Sequence, residues 1–386
     1  MPPDRRRPAI YLDHHATTPV DPRVLEAMLP FFEEDFGNAA SLIHAPGRRA
    51  AAAVDDARER IAAVLGAEPR EIVFTSGATE ANNLALQGSA RLRRQHRDHL
   101  ITVASEHPSV LDVCAALEAE GFTVTRLSVE PDGLVDPEAV GEAISDRTAI
   151  VSVMLANNEI GVLQPVGRIA AICRDRGVPL HTDAAQAVGK IPVNVDSLGV
   201  DLLSLSAHKL YGPKGVGALF VRQRHPRVRL RPVQHGGGHE GGLRSGTLPV
   251  PLIVGMARAL ELCAEELEVE SKRLRELRER MWRRLSEALP GLTCNGHADA
   301  RLPGNLSLTL EGVDADRLLL ALHDVAISSG SACSTANPAP SHVLLALGLS
   351  QAQAKSSIRI GLGRATTEEE VDMAAARIVE EARALS

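Results

Sequence analysis

One of the five cysteines in this 386-residue sequence stands where a thiol can react. Cys333 lies in "AISSGSACSTANPAPS", from Ala326 to Ser341, among small residues, glycine and proline that offer no apolar face. A nucleophilic cysteine acts as the thiolate and needs a lowered pKa or a nearby base. A loop of this composition can also move a thiol between two positions. The segment therefore predicts a reactive cysteine on a mobile loop.

The other four cysteines do not share these surroundings. Cys114, Cys173 and Cys263 lie in helical patterns, where a thiol packs as a small hydrophobe, and Cys294 is undecided. An odd, dispersed set without a C-x-x-C pair argues against a disulfide framework and a zinc site, so we expect no metal.

A second candidate for chemistry is Lys209, in "LSLSAHKLYGPKG". The chain has five lysines among 42 basic residues, and a lysine, unlike an arginine, can lose its proton and act as an amine. An amine at the end of an apolar strand suits a Schiff base with a carbonyl cofactor. Taken alone, the position of Lys209 favours a solvated loop lysine over a catalytic one. Lys214, in the next turn, is a second candidate for the Schiff-base lysine.

Two further strand ends offer complementary groups. Asp183, in "VPLHTDAAQAVGK", is costly at a buried strand end without a cationic partner, although it could simply cap a following helix. "EIVFTSGATEANNLAL" reads as a strand, a tight turn at Gly77 and a helix opening at Ala78 and Thr79, which is a phosphate cradle. Amine, carboxylate and phosphate cradle together match what a protein supplies to pyridoxal 5'-phosphate, PLP.

The elements that must position these groups alternate between strands and helices. Seven apolar segments read as strands: "EIVFTSG", "HLITVAS", "FTVTRLSV", "TAIVSVMLA", "VPLHTDAA", "DLLSLSAH" and "GVGALFV". With helical segments between most of them, this pattern predicts an α/β fold with a mainly parallel seven-stranded sheet, whose ligands lie beyond the carboxyl ends of the strands.

A long amphipathic run from about Pro251 to Leu289 follows, and the remainder predicts a smaller α+β domain. We expect a large domain over 16–262, and a small domain made of 1–15 and 263–386 that carries the cysteine loop at about 327–341. The net charge of −7 gives no reason to expect nucleic-acid binding, and no apolar run approaches the roughly 18 residues that span a bilayer. The N-terminus lacks the apolar segment of a secretory signal, so the expected location is cytoplasmic.

A resemblance covers nearly the whole chain. "YLDHHATTP", "FTSGATEANNLA", "SEHPSVLD", "ANNEIGVLQP", "HTDAAQAVGK", "SAHKLYGPKGVGAL", "HGGGHEGGLRSGTLP", "SSGSACS" and "SSIRIGLGR" stand in the order seen in the cysteine desulfurases. The "SSGSAC" loop is similar to the NifS/IscS-type branch of these class V, fold-type I PLP enzymes.

The resemblance implies a role for each matching residue. Lys209 would bind the PLP aldehyde, Asp183 would pair with its pyridinium nitrogen, and His107 would stack on the ring and help to move protons. The phosphate would be held by Ala78, Thr79, Ser206 and His208, and by Thr247 from a neighbouring subunit, which implies a homodimer. Asn158 and Gln186 would face the ring oxygen and the substrate, and Arg359, with Asn158 and Asn38, would bind the substrate.

The implied reaction removes sulfur from L-cysteine, gives L-alanine and leaves a persulfide on Cys333. A sulfur acceptor, such as an iron–sulfur scaffold, would then take the sulfur. Two alternatives stay open at this point: selenocysteine lysis or transamination on the same fold, and a sulfur-transfer partner without enzyme activity.

Overall fold

The structure is a computed structural model that describes residues 10–224, 226–329 and 340–385. Its strands are β1 (Ile10–Tyr11), β2 (Ile72–Thr75), β3 (His99–Val103), β4 (Thr123–Leu127), β5 (Thr148–Ser152), β6 (Leu180–Asp183), β7 (Leu202–Ser206), β8 (Gly217–Val221), β9 (Leu292–Cys294), β10 (Asn305–Leu310), β11 (Val325–Ala326), β12 (Ser328–Ser329) and β13 (Ser357–Gly361).

Its α-helices are α1 (Pro22–Met28), α2 (Pro30–Glu33), α3 (Ala45–Leu65), α4 (Ala78–Arg93), α5 (Pro108–Ala119), α6 (Pro137–Ala143), α7 (Val166–Asp175), α8 (Val195–Leu198), α9 (Val250–Ala288), α10 (Ala315–Ala321), α11 (His342–Ala346), α12 (Gln351–Lys355) and α13 (Glu368–Leu385). Short 3₁₀ turns cover Pro69–Glu71, Ala207–Lys209 and Glu240–Gly242. In the described ranges, no helix is both long and apolar enough to cross a membrane.

The largest sheet has seven strands in the order β2-β8-β7-β6-β5-β3-β4. Strand β8 runs antiparallel to both of its neighbours, and the other pairs are parallel. All residues of the six strands other than β4 are buried, which explains their apolar runs, while β4 at the edge is partly exposed. The seven strands coincide with the seven predicted segments, so the predicted α/β fold is confirmed.

A second, four-stranded antiparallel sheet has the order β12-β13-β10-β9, and β1 pairs with β11. The 39-residue helix α9 joins the two parts of the molecule. Its first half packs into the core under the large sheet through residues such as Ile253, and its second half packs into the other core through residues such as Met281. The long amphipathic run is thus one continuous helix, which begins one residue before the predicted start and ends one residue before the predicted end.

The direction of the strands places the loops that follow them at one edge of the large sheet. Strands β2, β3, β5, β6 and β7 point the same way, so their carboxyl ends share one edge of the sheet. The antiparallel β8 begins at that edge, at Gly217, which pairs with Thr75 and with Ser206. Residues that follow five different strands therefore meet at one place.

Candidate active site

A cavity of about 500 Å³ lies at this edge of the sheet. Its walls come from the loops after β2, β3, β5, β6 and β7 and from the turn before β8. It brings together nine of the residues predicted from the sequence: Ala78, Thr79, His107, Asn158, Asp183, Gln186, Ser206, His208 and Lys209. The amine, the carboxylate and the phosphate cradle thus share one space, although 131 residues separate Ala78 from Lys209 along the chain.

One end of the cavity is formed by backbone at the start of α4. Gly77 has a φ of 152°, a conformation that residues with a side chain rarely adopt. No side chain caps the first turn of α4 in the described chain, so backbone N–H groups beside Ala78 and Thr79 remain available. Gly217 packs against this turn so closely that an added methyl group would lie 2.6 Å from Gly77 Cα. The absence of side chains creates the room that a phosphate needs.

The charges beside the cradle suit an anion. Lys209 and Lys214 both line the cavity. His208, also in the wall, forms a hydrogen bond of 3.1 Å with Thr17 Oγ1 through its Nδ1. Burial, reinforced by the nearby charge of Lys209, lowers the pKa of His208 to about 4, so this ring is neutral near pH 7. The positive charge at this end therefore comes from the two lysines.

Asp183 is the last residue of β6 and is 6% exposed. One carboxylate oxygen accepts a hydrogen bond from the backbone N–H of Ala185 (2.9 Å), and the other accepts one from Asn82 Nδ2 (2.7 Å). The residues after Asp183 form turns and not a regular helix, so Asp183 does not cap a helix. Its hydrogen bond to the N–H of Ala185 stabilises a local turn. The carboxylate is held from both sides at the wall of the cavity.

Asn82 also connects Asp183 to His107. Its amide group donates a second hydrogen bond to Ser109 Oγ (2.8 Å), and Ser109 Oγ lies 2.8 Å from His107 Nδ1. The backbone N–H of Ser109 donates to the same ring nitrogen (3.1 Å), so Nδ1 acts as an acceptor and the ring proton belongs on Nε2. Burial, followed by the charge of Lys209, lowers the pKa of His107, which favours the neutral ring.

Arg359 lies in β13 and is 2% exposed. Its Nη1 donates to the backbone oxygen of Asn158 (2.9 Å), and its Nη2 donates to Asp13 (2.7 Å) and Ser328 Oγ (3.3 Å). Its Nε is buried and has no partner within the described ranges. Arg359 does not line the cavity itself, but it holds the backbone of a residue that does, and it keeps its Nε–H for an added acceptor.

Cys333 lies outside the described residues. The described neighbours on either side of it converge on the Arg359 region: Ser328 contacts Arg359, and Ser341 Oγ donates a hydrogen bond to Glu159. Burial raises the pKa of Glu159 to about 7. Among the described cysteines, burial raises the pKa of the Cys114, Cys173 and Cys263 thiols to about 12, as expected for packing residues.

Two predicted residues lie away from the cavity of this chain. Asn38 is exposed and accepts a hydrogen bond from the backbone N–H of Ala40 (2.9 Å). Thr247 is exposed as well. The roles given to them by the resemblance stay predictions.

Sequence reasoning missed three polar residues that support the site. Asn82 is completely buried, Ser109 bridges it to His107, and Lys190 contacts Gln186 from behind the cavity. Asn82 follows Thr79 by three residues on the same helix, a spacing that places both on one face. That spacing is the one signal that could have indicated Asn82.

Comparison with known proteins decides the family. A profile described as aminotransferase class-V matches residues 10–373. The chain belongs to the class-V aminotransferase family. A relative from Anaeromyxobacter dehalogenans (strain 2CP-C), named cysteine desulfurase IscS, is 54% identical over 97% of this chain and 93% of its own length.

Solved structures agree with this membership. A NifS-like protein superposes with a TM-score of 0.90 at 38% identity and covers 96% of this chain and 98% of its own. SspA in complex with cysteine superposes with a TM-score of 0.81 at 40% identity and covers 91% and 98%. The predicted resemblance to NifS/IscS-type cysteine desulfurases and the predicted fold type are confirmed.

Enzymes of this family depend on PLP, and the residues at the cavity fit that cofactor. The cradle at Gly77 has room for a phosphate, and Asp183 presents a carboxylate to the interior. Asn158 lines the cavity with a buried Oδ1 that has no partner among the described residues. A ligand with hydrogen-bonding groups would satisfy this oxygen, because a buried polar atom without a partner is costly.

Proposed function

We propose that the chain is a cysteine desulfurase that uses PLP to remove the sulfur of L-cysteine. The main support is the cavity, which brings Lys209, Asp183 and His107 together beside the start of α4. The chain is also 54% identical to a protein named cysteine desulfurase IscS. PLP, when bound, withdraws electrons from the substrate carbon so that a proton and then the sulfur can be removed.

The chain's own residues hold the cofactor and the substrate. Lys209 would bind the aldehyde through its amine, and Asp183 would pair with the pyridine nitrogen. Ala78, Thr79, Ser206 and His208 surround the phosphate position, at the end of the cavity where Gly77 and Gly217 leave space. Arg359 binds the substrate carboxylate with the N–H that its present partners leave unused.

Lys209 and His107 are the two residues that move protons. The Lys209 amine, once released, takes the proton from the substrate carbon and returns one later, a task that arginine could not perform. His107 keeps its ring proton on Nε2, because Ser109 donates to Nδ1, and so it can donate from the side opposite to Ser109. The Asn82–Ser109 pair fixes this tautomer.

Cys333 completes the transfer. Its thiolate attacks the sulfur of the bound cysteine, a sulfur–sulfur bond forms, and the carbon–sulfur bond breaks with its electron pair remaining on the carbon. That carbon then takes a proton, so one cysteine and one thiol become one alanine and one persulfide. The segment 330–339, which contains Cys333, follows β12, whose Ser328 contacts Arg359, and precedes Ser341, which contacts Glu159. These two contacts support access of Cys333 to the substrate.

The assembly and the partners follow from the same proposal. We infer a homodimer in which Thr247 reaches the phosphate bound by the neighbouring subunit. Large apolar side chains between α1 and α3 support this assembly, since Phe32, Phe36 and Ile43 are 55%, 72% and 97% exposed in the single chain. The persulfide passes to an acceptor such as an iron–sulfur scaffold in the cytoplasm. We divide the chain into a large domain, 16–262, and a small domain made of 1–15 and 263–386. Helix α9 connects the two domains.

The proposal is tested by the products formed from L-cysteine. The purified wild type should carry a visible absorption band and release equal amounts of alanine and, with a reductant, sulfide. Lys209→Ala should abolish the band and both products. Cys333→Ala should keep the band and bind cysteine but form no sulfide, and Cys294→Ala is the matched control with wild-type turnover. Normal sulfide release by Cys333→Ala would favour another reaction of the same fold, and a colourless wild type would contradict the proposal.

A further inference from the structure

A lysine outside the cavity contacts one of the residues in its wall. Lys190 is half-buried at the end of the turn after β6, and its Nζ donates a 2.8 Å hydrogen bond to Gln186 Oε1. Gln186 is 3% exposed and lines the cavity. Lys190 itself does not line it, so its hydrogen-bonded path to a ligand runs through Gln186.

The donors around Gln186 fix which end of its amide faces which neighbour. The backbone oxygen of His15 can only accept, so it must face the amide nitrogen, and Gln186 Nε2 donates to it (2.8 Å). The amide oxygen therefore faces Lys190, whose Nζ donates to it. His15 Nδ1 lies 3.2 Å from the same amide oxygen. With its oxygen and one hydrogen engaged, Gln186 keeps the second hydrogen of Nε2 for a ligand in the cavity.

The hydrogen bonds form a chain with one direction. Lys190 donates to the oxygen of the amide, and the amide nitrogen donates onward. In such a chain each bond polarises the next, so a donor on the oxygen makes the N–H a stronger donor. The exclusion of water from Gln186, which is 3% exposed, increases this effect.

The donor at this place is not a permanent cation. Burial, followed by the positive charges of Lys209 and Arg359, lowers the pKa of Lys190 to about 7, and Nζ keeps N–H groups that can donate in both its charged and its neutral form. The effect on Gln186 therefore depends on the hydrogen bond to Oε1 and not on a full charge.

We propose that Lys190 is a positioning residue that orients and polarises Gln186 as a hydrogen-bond donor to an anionic ring oxygen of the cofactor. This inference rests on the proposed function, because PLP supplies the ring oxygen. Lys190 contacts neither the cofactor nor the substrate and acts only through Gln186.

The test follows the visible band of the bound cofactor as a function of pH. A hydrogen bond donated to the ring oxygen stabilises the anion, so weakening it favours the form that carries one more proton. Lys190→Met, which keeps the length of the side chain and removes the donor, should therefore shift the midpoint of the band upward by about half a pH unit or more. The matched control is Lys272→Met, at an exposed lysine of α9, which should titrate like the wild type.

A double variant separates positioning from a general structural effect. In a Gln186→Ala background, Lys190→Met should cause no further shift, because the path through the amide is already removed. If the methionine variant does not fold, Lys190→Leu takes its place with the same expectation. A midpoint unchanged from wild type, or the same shift with and without Gln186, would overturn the role of Lys190 alone. A wild type that shows no band at all would instead contradict the proposed function.

Discussion

The support given to Asp183 by Asn82 can be tested without any cofactor. Asn82 is completely buried and donates to Asp183 (2.7 Å) and to Ser109 (2.8 Å). Asn82→Ala removes a hydrogen bond to a charged group, worth about 1.5–3 kcal/mol, and a neutral one worth about 1 kcal/mol. It also removes Asn82 Oδ1, which is buried without a partner in the described chain and costs about 1 kcal/mol or more. The two lost hydrogen bonds contribute more free energy than is regained by removing the unpaired oxygen. We therefore expect Asn82→Ala to lower the free energy of unfolding by about 2 kcal/mol.

The assay is urea unfolding of the cofactor-free protein, followed by far-UV circular dichroism. The single tryptophan, Trp282, packs against the core of the second sheet and would report on the wrong part of the molecule. Asn83→Ala is the matched control, since Asn83 is partly exposed and bonds only within its own helix, and its effect should stay within about 0.5 kcal/mol. Equal unfolding midpoints for the two variants would refute the idea that Asn82 stabilises the buried carboxylate.

Two further predictions concern the cradle and the Arg359 side of the site. Gly217→Ala should weaken cofactor binding about tenfold or more, because its methyl group would lie 2.5 Å from the backbone oxygen of Leu205 and 2.6 Å from Gly77 Cα. Equilibrium dialysis measures this, with Gly167→Ala in α7, which meets nothing within 4 Å, as the control; equal affinities would contradict the cradle. The second concerns Glu159, whose pKa is raised by burial from its ordinary value of 4.5 to about 7 in the folded chain. The folded state therefore binds more protons between these values, and stability contributed by this group falls as pH rises through that window. Glu159→Gln should gain stability over the wild type by up to about 3 kcal/mol between pH 4.5 and 7, at about 1.4 kcal/mol for each pH unit. Urea unfolding at several pH values checks this, and a difference that does not change with pH would contradict it.

Much of the fold could be predicted from the sequence, because six of the seven strands of the large sheet are buried along their whole length. Strands such as β5 and β7 read as short apolar runs between helical segments, and that pattern is typical of a mainly parallel sheet covered on both faces. The site followed from the same rule. Asp183 ends one strand and Lys209 follows another, and parallel strands bring their carboxyl ends together.

The residues that hold the site in place could not be predicted in this way. Asn82 meets Asp183 across 101 residues, and Gln186 meets His15 across 171. Local spacing carries no information about such pairs, because they depend on how separate segments pack. For the same reason the sequence could not say that Arg359 is already bonded to Asp13, 346 residues away, beside the cavity and not in its wall.

The most direct test of the account is mass spectrometry of the purified, PLP-loaded protein after brief exposure to L-cysteine. The peptide that contains Cys333 should gain the mass of one sulfur atom, free alanine should appear in equal amount, and both changes should be absent from Lys209→Ala. Added sulfur on another cysteine, or alanine formed while Cys333 stays unmodified in every sample, would contradict the proposed transfer.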